Sequence, residues 1–217
     1  PIEYQIAGVN QVQVNTQAGL TFASGLRSFL RQDPNIIMVG EVRDAETADL
    51  AIQASLTGHL VFSTLHTNSS AGALPRLLDM HAEPYLIAST VTCVVGQRVV
   101  RKICSTCRFQ KDVSGEVLTE LKKVLGNLYD FEKNKITLFA GRGCPDCNNT
   151  GYQGRIGIYE MLLITEKISR LILVRETAQT LENQAVSDGM ITMKQDGYLK
   201  VIEGTTTIEE VLRVAQE

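Results

Sequence analysis

Five cysteines and one strand-end glutamate carry most of the chemistry this sequence could perform. Four of the cysteines form two C-x₂-C pairs, Cys104-Ser-Thr-Cys107 and Cys144-Pro-Asp-Cys147. Each pair is a knuckle able to present two thiolates to one tetrahedral ion, and two knuckles complete a set with no open position for water. The expected ion is zinc and its expected role is structural. Two disulfides are the alternative reading of the same spacing. The unpaired Cys93 and a composition of cytosolic type favour the metal. The glutamate is Glu41, which follows the apolar run Ile36-Ile37-Met38-Val39 and Gly40. A run without alternation reads as a central parallel strand buried on both faces. Ligands of open parallel sheets collect beyond the carboxyl ends of the strands, so Glu41 would stand beside whatever is bound. In nucleotide hydrolases an acid at such a place polarises water or organises Mg²⁺ near the terminal phosphate. A solvated strand-end glutamate is the plain alternative, and the stretch fits both.

The elements around Glu41 sharpen the choice. Between Thr21 and Arg31, Phe22, Leu26, Phe29 and Leu30 recur at helical spacing, and Arg27 and Arg31, four apart, share a face. Asp33-Pro34 ends this helix. Guanidinium forks match phosphate oxygens bidentately, so two arginines near the Glu41 strand are candidate phosphate ligands; otherwise they form a solvated helix edge. After the strand, Asp44 can cap a helix over Ala45–Leu56, with Gly58 as its stop. The stretch His59–His66 then repeats the buried-strand pattern. Strand, helix, strand makes a parallel βαβ unit with both strand ends on one edge. At ~3.3 Å per residue the two histidines lie about 20 Å apart, too far to share one ligand atom. His66 falls on the Glu41 edge, where it could contact a phosphate. His59 falls on the opposite edge and reads as structural.

Elsewhere the sequence predicts short strands over Ile2–Val14 and a helix over Ala71–Ala82. A longer helix is expected over Pro84–Lys102: Pro84 suits a first turn and Arg98, Arg101 and Lys102 suit the last, despite Val91, Val94, Val95, Val99 and Val100. Between the knuckles, Ser114 to Gly126 reads as a helix. Asn148–Gly157 reads as turns and Ile158–Leu162 as a short strand. Helical segments follow at 168–174 and 181–187, then a last helix capped at Thr206-Thr207 with Glu209 and Glu210 placed for a capping box. The formal charge of −3 over 217 residues offers no field for nucleic acid, and no partner of that class is expected. No apolar run approaches the ~18 residues of a membrane span, and the start, which lacks Met, does not look like a signal peptide.

Taken in order, these stretches resemble the type II secretion and type IV pilus assembly ATPases, a family of hexameric motors with a RecA-like core. Pro1-Ile2-Glu3 resembles the end of that family's aspartate box. Leu30-Arg31-Gln32-Asp33-Pro34 with Ile36–Asp44 resembles its atypical Walker B region, with Gly40-Glu41 in place of the usual Asp-Glu. Thr57-Gly58-His59 through Leu65-His66-Thr67 resembles its histidine box. Gln97-Arg98 followed by the four cysteines matches the tetracysteine region of the secretion and pilus-extension branch. Asn35 departs from the more usual Asp, without consequence expected for the chemistry.

The resemblance implies an α/β fold: part of a RecA-like P-loop NTPase core over 1–103, a tetracysteine zinc subdomain over 104–157, and a mostly helical region over 158–217. It implies Glu41 as catalytic glutamate, Glu3 as a second acid near metal and water, and Arg27, Arg31, His66 and His59 as phosphate-contacting or intersubunit groups. Cys104, Cys107, Cys144 and Cys147 would hold Zn²⁺. ATP and Mg²⁺ would be the other cofactors, a homohexamer the assembly, and inner-membrane platform proteins the partners of a cytoplasmic motor. The family's G-x-x-x-x-G-K-[ST] loop does not occur in the 217 residues. It is expected upstream of Pro1, and these residues alone are expected to hydrolyse ATP only at background rate. Two other readings stay open: a non-enzymatic zinc module for protein contacts, and a RecA-like motor associated with DNA uptake.

Overall fold

The computed structural model describes residues 2–134 and 136–215. Pro1, the first residue of the aspartate-box match, lies outside them. Nine α-helices and six strands are described: α1 Phe22–Phe29, β1 Ile36–Val39, α2 Ala45–Leu56, β2 Leu60–Ser63, α3 Ala73–Asp79, α4 Pro84–Thr90, β3 Cys93–Ile103, β4 Arg108–Lys111, α5 Gly115–Leu125, β5 Leu138–Gly141, β6 Tyr152–Leu163, α6 Glu166–Leu173, α7 Ala178–Ser187, α8 Met193–Ile202 and α9 Ile208–Ala215. They fall into two units, neither continuous in sequence: 1–94 with 163–185, and 95–162 with 186–217. These divisions differ from the three consecutive segments expected above, because the chain leaves the first unit along β3 and returns to it along β6.

The first unit contains the βαβ element. β1 and β2 pair in parallel, Ile36 opposite Leu60 through Val39 opposite Ser63. Asp44 caps α2 as expected, its carboxylate accepting from Thr47 N at 2.8 Å. Ile37 and Val39 pack with Ala23 and Leu26 of α1 and Ala48 and Leu50 of α2. Ile36 and Met38 are 62% and 63% exposed, so β1 is buried on one face, not two. The parallel sheet here has two strands, and the alternate face has nothing described against it. Residues 2–14 form no strand. Gln13 and Gln11 instead accept from the backbone N–H groups of Ile2 and Ile6 at 2.7 and 2.8 Å, satisfying locally what a sheet ladder would have satisfied.

The second unit corrects the largest helix expectation. Helix stops at Thr90, and Cys93–Ile103 is strand β3. β-Branched residues won over the terminal charges: Val100 is fully buried while Val99 and Arg101 on either side are exposed, a period of two. β3 pairs with β6. The close approaches of Gly96 to Glu160 and of Gly154 to Lys102 make the pair antiparallel. β6 therefore takes in much of the stretch expected to be turns. Val100 and Ile158 from this ribbon, Leu121 and Leu125 from α5, and Tyr198, Val201 and Val211 from α8 and α9 form the core. Ser114 caps α5, accepting from Val117 N at 3.3 Å, where the sequence put the helix start. Thr207 accepts from Glu210 N at 3.4 Å at the start of α9. Glu210 does not complete a capping box. Its buried carboxylate accepts from Arg101 N and Nη2 at 3.0 and 2.6 Å and from Arg213 Nε and Nη2 at 3.1 and 2.9 Å, pinning α9 to the end of β3.

Candidate functional site

Glu41 sits one residue past Gly40 at the carboxyl end of β1, between two cross-links to the residue that follows β2. Thr64 Oγ1 donates to Gly40 O at 2.7 Å, and Val42 N donates to Thr64 O at 3.0 Å. With its backbone held on both sides, the Glu41 side chain turns inward and is 8% exposed. Its Oε2 receives Arg43 Nε at 2.6 Å and lies 3.4 Å from His66 Nε2. The Arg43 guanidinium, with His66 behind it, holds the carboxyl below its ordinary range against the opposing effect of burial. An ionised, inward-turned acid at a parallel strand end can accept a proton from water or orient it, or supply a ligand to a divalent cation.

Of the residues nominated from sequence, His66 alone meets Glu41. Arg27 donates from Nη2 to Glu46 at 2.8 Å on the exposed first turn of α2, away from the acid. Arg31 lies exposed on the short 3₁₀ turn that extends α1 and is not a partner of Glu41. Glu3 is exposed near Gln11 and Gln13 and is likewise not a partner of Glu41. His59 is not a partner of Glu41: its Nδ1 lies 2.9 Å from Ala54 O and 2.9 Å from Thr57 Oγ1. A carbonyl only accepts, so Nδ1 carries the hydrogen and ties the start of β2 to the end of α2. Sequence reasoning missed Arg43. The Glu-x-Arg spacing in a non-helical segment, which can put both side chains on one side of the chain, was the signal available.

The four cysteines converge, although the two knuckles are 40 residues apart. Their sulfurs all lie within 4.8 Å of one another, with Cys104 to Cys144 at 3.8 Å, Cys107 to Cys147 at 3.9 Å and Cys144 to Cys147 at 3.7 Å. A disulfide needs about 2.05 Å, which removes that alternative. A tetrahedral ion with Zn–S bonds of ~2.3 Å needs sulfurs about 3.8 Å apart, so the donor set fits. The antiparallel β4–β5 pair, Arg108 opposite Gly141, opens onto the cluster, and Arg142 N donates to Cys107 O at 3.1 Å to extend the ladder into it. The long insertion holding α5 leaves from the other end of that pair. Gly141 and Gly151 permit the approach: a Cβ on Gly151 would stand 2.6 Å from Gly141 O, and Gly151 has φ +77°. Burial pushes the Cys147 thiol up, but the N–H groups of Cys144 and Gly151, 3.2 and 3.3 Å from its sulfur, outweigh it and bring the thiol down to about 6. Burial takes Cys144 up to about 12. Four sulfurs this close cannot all ionise without a cation to neutralise them.

Comparison with known proteins places the chain in a family. The profile of the family described as "Type II/IV secretion system protein" matches residues 1–213. The chain belongs to that family. It is 47% identical over 212 residues to the type IV pilus assembly ATPase PilB of Thermus thermophilus, covering 98% of this chain and 23% of that protein. It is 45% identical over 219 residues to the type II secretion system ATPase E of Vibrio cholerae, covering all of this chain and 42% of that one. The crystal structure of the pilus retraction motor PilT with bound ADP superposes with a TM-score of 0.61 at 26% identity, over 91% of this chain and 44% of that chain. The chain thus spans less than half the length of the relatives it matches. Among the described residues no helix is long and apolar enough to cross a membrane.

Proposed function

We propose that this chain is the catalytic-glutamate and metal-clasp portion of an ATP-hydrolysing motor for type II protein secretion or type IV pilus assembly. In this reading the β1–α2–β2 unit belongs to a RecA-like core, and Glu41 is the acid that orients or deprotonates the attacking water. The observation that carries it is Glu41 itself, buried and ionised at a parallel strand end, in a chain whose relatives are named as secretion and pilus ATPases. Mg²⁺ would neutralise the phosphate charge as the terminal bond breaks. His66, within reach of Glu41, is the proposed reporter of the terminal phosphate, and Glu3 a second acid contributed from the opening segment. Arg27 and Arg31 point to solvent-exposed work, such as contacts to a neighbouring subunit of a homohexamer. His59 serves the fold. Zn²⁺ held by Cys104, Cys107, Cys144 and Cys147 would supply a rigid cross-link that fixes β3, β4, β5 and β6 at one point. The motor would act from the cytoplasmic side on inner-membrane platform proteins.

The test is Glu41→Gln in the complete polypeptide that carries this chain. Mg²⁺-dependent ATP turnover falls at least ~100-fold while nucleotide binding is kept. Turnover within a few-fold of the unmodified protein would remove Glu41 from the chemistry.

A further inference from the structure

Glu41 and its two partners are unequally anchored. The acid is buried and its backbone is fixed on both sides by Thr64, whereas the Arg43 and His66 side chains are 71% and 86% exposed. Both side chains converge on a single oxygen, Oε2. A carboxylate engaged in this way is a weaker acceptor for a proton from water, because a guanidinium hydrogen bond on one oxygen lowers the basicity of the whole group. Whichever partner leaves, it is the exposed one that must move. Among the described residues, Glu41 is the one ion-pair partner of Arg43, and the guanidinium approaches it through Nε, so the two Nη groups remain for another anion.

We infer that Arg43 is a latch on Glu41: it occupies the carboxylate while the site lacks nucleotide and transfers to the phosphate oxygens of an arriving nucleoside triphosphate, leaving Glu41 free to face water. The inference rests on the ATPase reading above and adds a regulated step to the same site. A guanidinium exchanges one carboxylate for a multiply charged phosphate at little net cost, since it gives up one charge-assisted hydrogen bond and gains a bidentate pair. The exchange couples substrate arrival to activation of the acid, which keeps the site idle when empty. Arg43 is in this sense a positioning residue, acting through Glu41.

A double-mutant cycle on nucleotide affinity tests it. The dissociation constant of a non-hydrolysable ATP analogue with Mg²⁺ is measured for the complete polypeptide, for E41Q, for R43A and for the double variant. Neutralising the acid releases Arg43 to the phosphates, so E41Q tightens binding by a factor about two- to fivefold larger in the Arg43 background than in the R43A background. Simple relief of repulsion between Glu41 and phosphate predicts the opposite, because the acid left unpaired in R43A repels most. An equal or larger effect of E41Q in the R43A background therefore overturns the latch. Arg43→Gln provides a second background in which the same sign is required, in case R43A does not fold. Turnover of E41Q separates the two claims: turnover retained defeats the assignment of Glu41, whereas turnover lost without the coupling defeats the latch alone.

Discussion

Replacing Glu210 by Gln removes one charge from the junction between β3 and α9 while keeping the side chain's shape. The carboxylate is 2% exposed and accepts four hydrogen bonds, one from Arg101 N, one from the Arg101 guanidinium and two from the Arg213 guanidinium. Those contacts outweigh burial, which acts to raise its pKa, and hold it at about 2 instead of the ordinary 4.5. A difference of that size corresponds to about 3 kcal/mol of preference for the ionised folded form. The Arg101 and Arg213 side chains are themselves about half exposed, and solvent screening reduces the expected loss in Glu210→Gln to about 2 kcal/mol. The sign of the pH dependence follows from the depressed value. The stabilisation is complete above pH 4.5 and is lost as pH falls towards 2, so the gap between the two proteins narrows through that window. Urea unfolding of both proteins, followed by circular dichroism at pH 7 and at pH 3, measures the gap. Loss of metal in acid affects both alike and cancels in the difference. A gap below about 0.5 kcal/mol at pH 7, or one that stays constant down to pH 3, would refute this account of the junction.

Three further outcomes are expected. Elemental analysis of carefully reduced protein finds about one zinc per chain, and Cys104→Ser or Cys147→Ser lowers that content; metal-free protein with native stability would remove the clasp. Gly151→Ala lowers stability by about 2 kcal/mol, read as a fall in melting temperature, because its Cβ would strike Gly141 O and its φ of +77° disfavours any other residue. In the complete polypeptide, Glu41→Gln leaves the melting temperature within a few degrees while lowering turnover at least ~100-fold, which distinguishes a site residue from a structural one.

What could be read from the sequence depended on how local the deciding forces are. The β1–α2–β2 unit was legible because each part has its own signal: an apolar run, the Asp44 cap, the Gly58 stop. α5 was legible for the same reason, from Ser114 to Gly126. The convergence of the four cysteines was legible although the two pairs are 40 residues apart, since a C-x₂-C spacing states what each half needs from the other. β3 was not. Its charged end, Arg98 to Lys102, imitates the last turn of a helix, and what settles the matter is pairing with β6 more than fifty residues later. Arg101 shows the confusion most directly: its charge answers Glu210 across the unit, not a helix dipole.

The candidate site divides along the same line. Glu41 and His66 were predictable as strand-end residues of one parallel unit, because strand direction alone places them on one edge. Arg27 and Arg31 were nominated for their shared helical face, yet a shared face says nothing about which way the helix turns that face. In the structure Arg27 pairs with the exposed carboxylate of Glu46, and Arg43, two residues from the acid, takes Glu41. Short connections to a fixed backbone win this competition, since a residue already held beside the acid loses little freedom on pairing with it, whereas a helix-borne arginine must be ordered across a gap.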